Sequence, residues 1–238
     1  MKFSITLITS AISLSCFLNA QSETDPFLNP DVETSGKRTC RIIFPERPNN
    51  SPKVAYLFDG KESQRVNLPS MNFSKVIALP KGELTLLLTP TEITDLENLP
   101  LNAPRLRIPE EVKGFYILMS PDASNKLLPL RMNLVNTSDG KLKNGETLWF
   151  NLTEHRIVAK LGESKMSVTP KSTTVTKDPA SVSGYYTAQF AYQPEAKGEF
   201  YRITEQNWWH DAESKHVGFI VNTGGRLPKI YFYRDFRL

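Results

Sequence analysis

From Cys40 onward the apolar residues come in short segments where every second side chain is apolar, and Pro, Gly or Asn interrupts them every few residues. That period of two is the signature of strands joined by turns and leaves little room for helices. Val54, Tyr56 and Phe58 share one strand face, Asp59-Gly60 supplies a tight turn, and Val66 with Leu68 continues the face on the return. Val76 to Leu79 and Leu84 to Thr89 read as a second hairpin turning at Lys81-Gly82, with Leu84, Leu86 and Leu88 on one face. Thr89-Pro90-Thr91-Glu92 has the spacing of a capping box, which predicts one short helix with Ile93 and Leu96 on its apolar face, ending before Pro100.

The second half repeats the strand pattern. Phe115, Ile117 and Met119 alternate, as do Leu128, Leu130, Met132 and Leu134, and Asp139-Gly140 and Asn144-Gly145 supply turns. Leu148, Phe150 and Leu152 follow, then Ile157, Ala159 and Leu161, Met166 and Val168, and the β-branched run from Thr173. Tyr186, Ala188, Phe190 and Tyr192 form a long face, with Glu199 to Thr204 as its partner and Val217 to Val221 and Ile230 to Tyr233 as the last strands. The expected fold is therefore all-β: a β-sandwich, either one large or two tandem immunoglobulin-like sandwiches, with one short helix. The irregular connector 100–109 divides an N-terminal β region, 39–109, from a C-terminal β-sandwich region, 110–238.

The N-terminus speaks to compartment. Lys2 precedes an apolar run from Phe3 to Leu18, and Leu18-Asn19-Ala20 reads as a signal-peptidase site, so residues 1–20 are expected to be a signal peptide. Residues 21–38 have few large apolar side chains and read as a flexible leader. A lipid anchor on Cys16 would call for Leu three residues earlier, where Ser13 stands. No later stretch has the ~20 apolar residues of a spanning helix, so no transmembrane segment is expected in the mature chain. The expected location is outside the cytoplasm: periplasmic, cell-surface or extracellular. Cleavage leaves Cys40 alone, which excludes an internal disulfide in the monomer and reads as a small core residue beside Ile42-Ile43-Phe44. The formal charge of +4 falls to +3 with the loss of Lys2, and the basic residues are scattered among acidic ones, so no nucleic acid partner is expected.

Catalytic motifs are scarce. There are three histidines, His155, His210 and His216. Val182-Ser183-Gly184 lacks the first glycine of a nucleophile elbow, and Gly224-Gly225-Arg226 lacks the Lys-Ser or Lys-Thr of a phosphate loop. The carboxylate pairs Glu110-Glu111, Glu92 with Asp95, and Asp211 with Glu213 have no diagnostic spacing. The densest cluster is Trp208-Trp209-His210-Asp211-Ala212-Glu213-Ser214-Lys215-His216. His210, Asp211, Glu213 and His216 have the donor atoms of a zinc site but match no metalloprotease spacing. Adjacent residues of an extended strand point to opposite sides, so at most one of Trp208 and Trp209 belongs to a core. The other would be an aromatic anchor, with Tyr185, Tyr201, Tyr231 and Tyr233 able to extend the platform. Trp208, Trp209, His210 and Asp211 are accordingly the expected ligand-binding residues, with no cofactor.

The stretch Leu148-Trp149-Phe150-Asn151-Leu152-Thr153 followed by Ile157-Val158-Ala159-Lys160-Leu161-Gly162, with Pro170 and Trp209, resembles exported bacterial all-β proteins with no assigned function. The resemblance spans roughly residues 115 to 233, implies export and a β fold, and transfers no site residue. The functional expectation is an exported, non-enzymatic β-sandwich of the cell envelope or extracellular space, binding or assembling with a protein or glycan there. The alternative is a secreted hydrolase, metal-assisted through the His210/His216 segment.

Overall fold

A strand that alternates apolar with polar residues can cover one layer, whereas a strand apolar on both faces needs a layer on each side. This chain has both kinds, and their distribution sets the architecture. The computed structural model describes residues 38–137, 142–177, 179–180, 182–194, 198–222 and 224–235. The expected signal peptide, the leader up to residue 37 and the Asp139-Gly140 turn lie outside the described residues.

Eight strands come first: β1 (Arg38–Ile43), β2 (Val54–Phe58), β3 (Ser63–Asn67), β4 (Ile77–Leu79), β5 (Leu84–Thr89), β6 (Arg105–Ile108), β7 (Gly114–Pro121) and β8 (Leu130–Asn136). Eight more follow: β9 (Thr147–Asn151), β10 (Arg156–Leu161), β11 (Ser164–Val168), β12 (Ser172–Thr176), β13 (Gly184–Gln193), β14 (Tyr201–His210), β15 (Lys215–Val221) and β16 (Lys229–Asp235). They form four four-stranded sheets: β3-β2-β5-β6, β4-β1-β7-β8, β12-β9-β15-β16 and β11-β10-β13-β14. Adding eight to each strand number of the first two sheets reproduces the other two. The match extends to direction: β1 with β7 and β9 with β15 are the parallel pairings, and the other pairings are antiparallel. The protein is thus two β-sandwiches in tandem with one topology, although their sequences show no repeat of fixed period.

Three cores separate the sheets into layers. Leu57, Leu86 and Leu88 meet Ile42, Phe115 and Ile117 within the first sandwich. Trp149 and Ile220 meet Ile157, Ala188 and Phe190 within the second. Between the sandwiches, Ile43, Tyr116, Leu118 and Val135 pack on Leu148, Phe150, Val217, Phe219 and Tyr233. β4-β1-β7-β8 and β12-β9-β15-β16 are therefore inner sheets covered on both faces, and the other two are outer sheets. This accounts for the unbroken burial of β9 and the middle of β15, against the alternating burial of β10 and β13.

A polar cluster lies in the middle core. The Arg41 guanidinium pairs with the Asp235 carboxylate at 2.6 Å, and Tyr116 Oη donates to the same carboxylate. Arg41 Nε donates to the Ser74 carbonyl at 2.8 Å, and its guanidinium lies 4.9 Å from the centre of the Phe73 ring. β1 and β16 are joined here, out of water.

Two expectations are corrected. Among the described residues there is no helix, and the segment after Thr89 is irregular. Thr89 ends β5, and its hydroxyl donates to the Thr91 carbonyl at 2.6 Å instead of capping a helix. Asp95 accepts from Glu97 N and Asn98 Nδ2, the local bonding with which Asp competes against helix. Ile93 and Leu99 then fold back onto Phe58 and Leu87. The second correction is that β4 and β5 do not pair with each other: β4 joins β1, and β5 joins β2 and β6. The Lys81-Gly82 turn connects two layers. The Asp59-Gly60 hairpin forms as expected, with Asp59 Oδ1 accepting from Lys61 N and Glu62 N and Gly60 at φ 96°. The connector 100–109 carries β6 as an edge strand, and residues on both sides of it share the first core.

Gly218 sets the closest approach in the second sandwich. A Cβ placed there would lie 2.1 Å from Trp149 Cε3 and 2.2 Å from Cζ3. Gly218→Ala should therefore cost about 1–3 kcal/mol through displacement of the indole. Urea unfolding checks this, and a loss below about 0.5 kcal/mol would mean that the ring yields freely.

Candidate functional site

The second outer sheet, β11-β10-β13-β14, buries one face and turns the other to solvent, and the period of two assigns each side chain. Tyr186, Ala188 and Phe190 of β13 face inward, and Tyr185, Thr187 and Gln189 face outward. The β14 register places Trp209 opposite Tyr185, Asn207 opposite Thr187 and Glu205 opposite Gln189. A bulge between Phe190 and Ala191 then sets Arg202 opposite Ala191. On the other side of β13, β10 contributes Lys160 beside Gln189 and Val158 beside Ala191, and β11 places Lys165 opposite Lys160.

The outer face is graded along its strands. At one end Tyr185 and Trp209, 76% and 54% exposed, meet edge to face with ring centroids 5.1 Å apart. Next comes Thr187, whose hydroxyl donates to Asn207 Oδ1 at 3.2 Å. Beyond that lies a shallow open trough of about 650 Å³, lined by Lys160, Lys165, Gln189, Phe200, Arg202 and Glu205 among others. Arg202 pairs with Glu205 at 3.1 Å, and Arg156 donates to Ser167 Oγ across β10 and β11.

The expected ligand-binding residues divide between the two faces. Trp209 is on the outer face and Trp208 on the inner, where its ring lies 5.4 Å from Phe190 and 5.2 Å from Phe232 between centroids. His210 is 2% exposed and His216 4% exposed; their rings are 6.0 Å apart, with Phe232 stacked on His216 and Tyr186 edge-on to His210. Burial pushes the Tyr186 phenol above the usual tyrosine range, so it stays neutral beside them. Asp211 caps the turn after β14: its carboxylate accepts from Glu213 N and Ser214 Oγ and pairs with Arg234. Glu213 is exposed. Among the described residues no three side chains of His, Cys, Asp or Glu gather as a metal-ligand set.

Of the tyrosines expected to extend the platform, Tyr185 stands beside Trp209, and Tyr201 lies tilted against Tyr192 at the far end of the same sheet. Tyr231 and Tyr233 pack against the middle core instead. The facing lysines Lys160 and Lys165 were not singled out by sequence reasoning, because only the strand register brings them together. No helix among the described residues is long and apolar enough to cross a membrane. No protein-family model matches the chain, and no curated protein matches it.

Proposed function

We propose that the protein is an exported, non-enzymatic β-sandwich of the cell envelope or extracellular space, built of two immunoglobulin-like modules, that binds a glycan or protein of the envelope. Its binding surface is the outer face of β11-β10-β13-β14. The observation that carries this reading is the Tyr185–Trp209 pair, two large rings held in fixed contact on a solvent-facing sheet rather than in a core. Aromatic rings presented this way supply contact area at low entropic cost, and the amide and hydroxyl groups of Thr187, Gln189 and Asn207 beside them set orientation. Cleavage after Ala20 delivers the chain to the compartment where such ligands occur, and the scattered charge gives nucleic acid no stripe to follow.

A secreted hydrolase using His210 and His216 draws support from the closeness of the two rings. Their burial leaves a substrate no approach, which favours the binding reading. Binding of residues 21–238 to envelope glycans and cell-wall fragments by calorimetry is the test. Trp209→Ala should weaken binding roughly thirtyfold, as expected for a central aromatic anchor, while leaving the melting temperature unchanged. Binding that survives Trp209→Ala intact would move the site elsewhere.

A further inference from the structure

Two lysines sit directly opposite each other on the outer face, Lys160 on β10 and Lys165 on β11, and among the described residues neither has a carboxylate partner. Like charges facing each other across a ladder are destabilising. Lysine on an edge strand such as β11 blunts aggregation, but Lys160 lies on the inner strand β10, where that reason does not apply. The adjoining cations are Arg156 and Arg202, and the one acid lining the trough, Glu205, is already paired with Arg202. The surplus charge along this face is therefore positive. In the first sandwich the corresponding outer face is partly covered by the chain's own connection, where Ile93 and Leu99 pack on Phe58 and Leu87. The second carries exposed polar and cationic groups in that place.

We infer that this face takes an anionic polysaccharide, lying obliquely across the strands from the Tyr185–Trp209 pair to the Lys160–Lys165 pair. This rests on the binding role proposed above and adds the charge of the ligand. From Tyr185 to Gln189, whose neighbour on β10 is Lys160, β13 spans about 13 Å at ~3.3 Å per residue, and Lys165 lies one strand further across, so the path holds a short run of sugar rings. Rings would pack on Trp209 and Tyr185, hydroxyls would meet Thr187, Gln189 and Asn207, and an acidic substituent would sit between the lysines. A carboxylate or a sulfate ester would relieve the repulsion equally well.

The experiment is affinity electrophoresis and calorimetry of residues 21–238 with a polyuronate, a sulfated glycan, a neutral glycan and a single-stranded oligonucleotide, at low and high salt. Tight binding of the polyuronate or the sulfated glycan is expected, and whichever dominates identifies the acidic group. High salt should weaken it. Lys160→Gln with Lys165→Gln should weaken it about tenfold. The same double variant should melt about 1–2 °C higher than the parent as the like-charge contact is relieved, a readout independent of any ligand. Neutral glycans bound as well as acidic ones, with Trp209 required and the lysines not, would overturn the charge assignment and leave the binding face standing. An oligonucleotide bound as tightly as the acidic glycans would overturn the polysaccharide. Silence from every polymer would overturn the polysaccharide and, with it, the glycan half of the proposed function.

Discussion

Asp235→Ala should lower the unfolding free energy by about 3–5 kcal/mol, because it removes the carboxylate that pairs with the buried Arg41 guanidinium. For a protein of this size that corresponds to a fall in Tm on the order of 10 °C. Arg41 and Asp235 are both less than a tenth exposed, and the carboxylate also receives the Tyr116 hydroxyl, so water cannot replace the lost partner. The ion pair itself is not a large net stabiliser, since bringing both charges out of water offsets most of their attraction. Hence Arg41→Met combined with Asp235→Leu should recover part of that loss, with about 1–3 kcal/mol remaining for the Tyr116 hydroxyl that loses its carboxylate acceptor. Thermal and urea unfolding of the single and double variants are the measurements. A single variant within about 1 kcal/mol of the parent would mean that the cluster is open to solvent.

The second large effect is expected at Trp149, the largest fully buried side chain. Trp149→Ala should cost about 3–5 kcal/mol, the range for removing a large aromatic from a core. The indole lies 5.3 Å from Phe190 and 5.8 Å from Phe232 between ring centroids, and Nε1 donates to Thr176 Oγ1 at 3.0 Å. Its other face rests on Gly218, so the two positions are coupled. In a double-mutant cycle, Gly218→Ala should be harmful with Trp149 present and close to neutral in the Trp149→Ala background. Additive losses would show that Gly218 acts through its own backbone and not through the ring.

Much of this fold is legible in the sequence, and its limits have a physical cause. Period two marks the strands, and Leu84, Leu86 and Leu88 do point into one core as their spacing requires. The opposite orientation of Trp208 and Trp209 follows from strand geometry alone. What the pattern hides is the layering. In β7 and β9 the residues between the chosen apolar positions, Tyr116, Leu118 and Trp149, are apolar too, and these second faces fix which sheets lie inside. The expected helix failed because local side-chain bonds from Thr89 and Asp95 satisfied the backbone differently. For the candidate site, the exposure of one of Trp208 and Trp209 was readable, whereas which of them is exposed and the Lys160–Lys165 contact depend on register, a long-range property that no local spacing encodes.

The parallel pairing of β1 with β7 and of β9 with β15 carries a kinetic consequence. Each sandwich closes on a contact between its first strand and its seventh, so neither inner sheet can be completed until most of its half of the chain is available. Such high contact order predicts folding in milliseconds to seconds rather than microseconds. Because the two halves share strand order and direction, an unfolded chain also offers β1 a rival partner in β15 and β9 one in β7, a trap typical of tandem repeats. The equivalent contacts differ between the halves, with Gly218 and Trp149 interlocked in one and Arg41 and Tyr116 side by side in the other, so an exchanged closure would forfeit both fits.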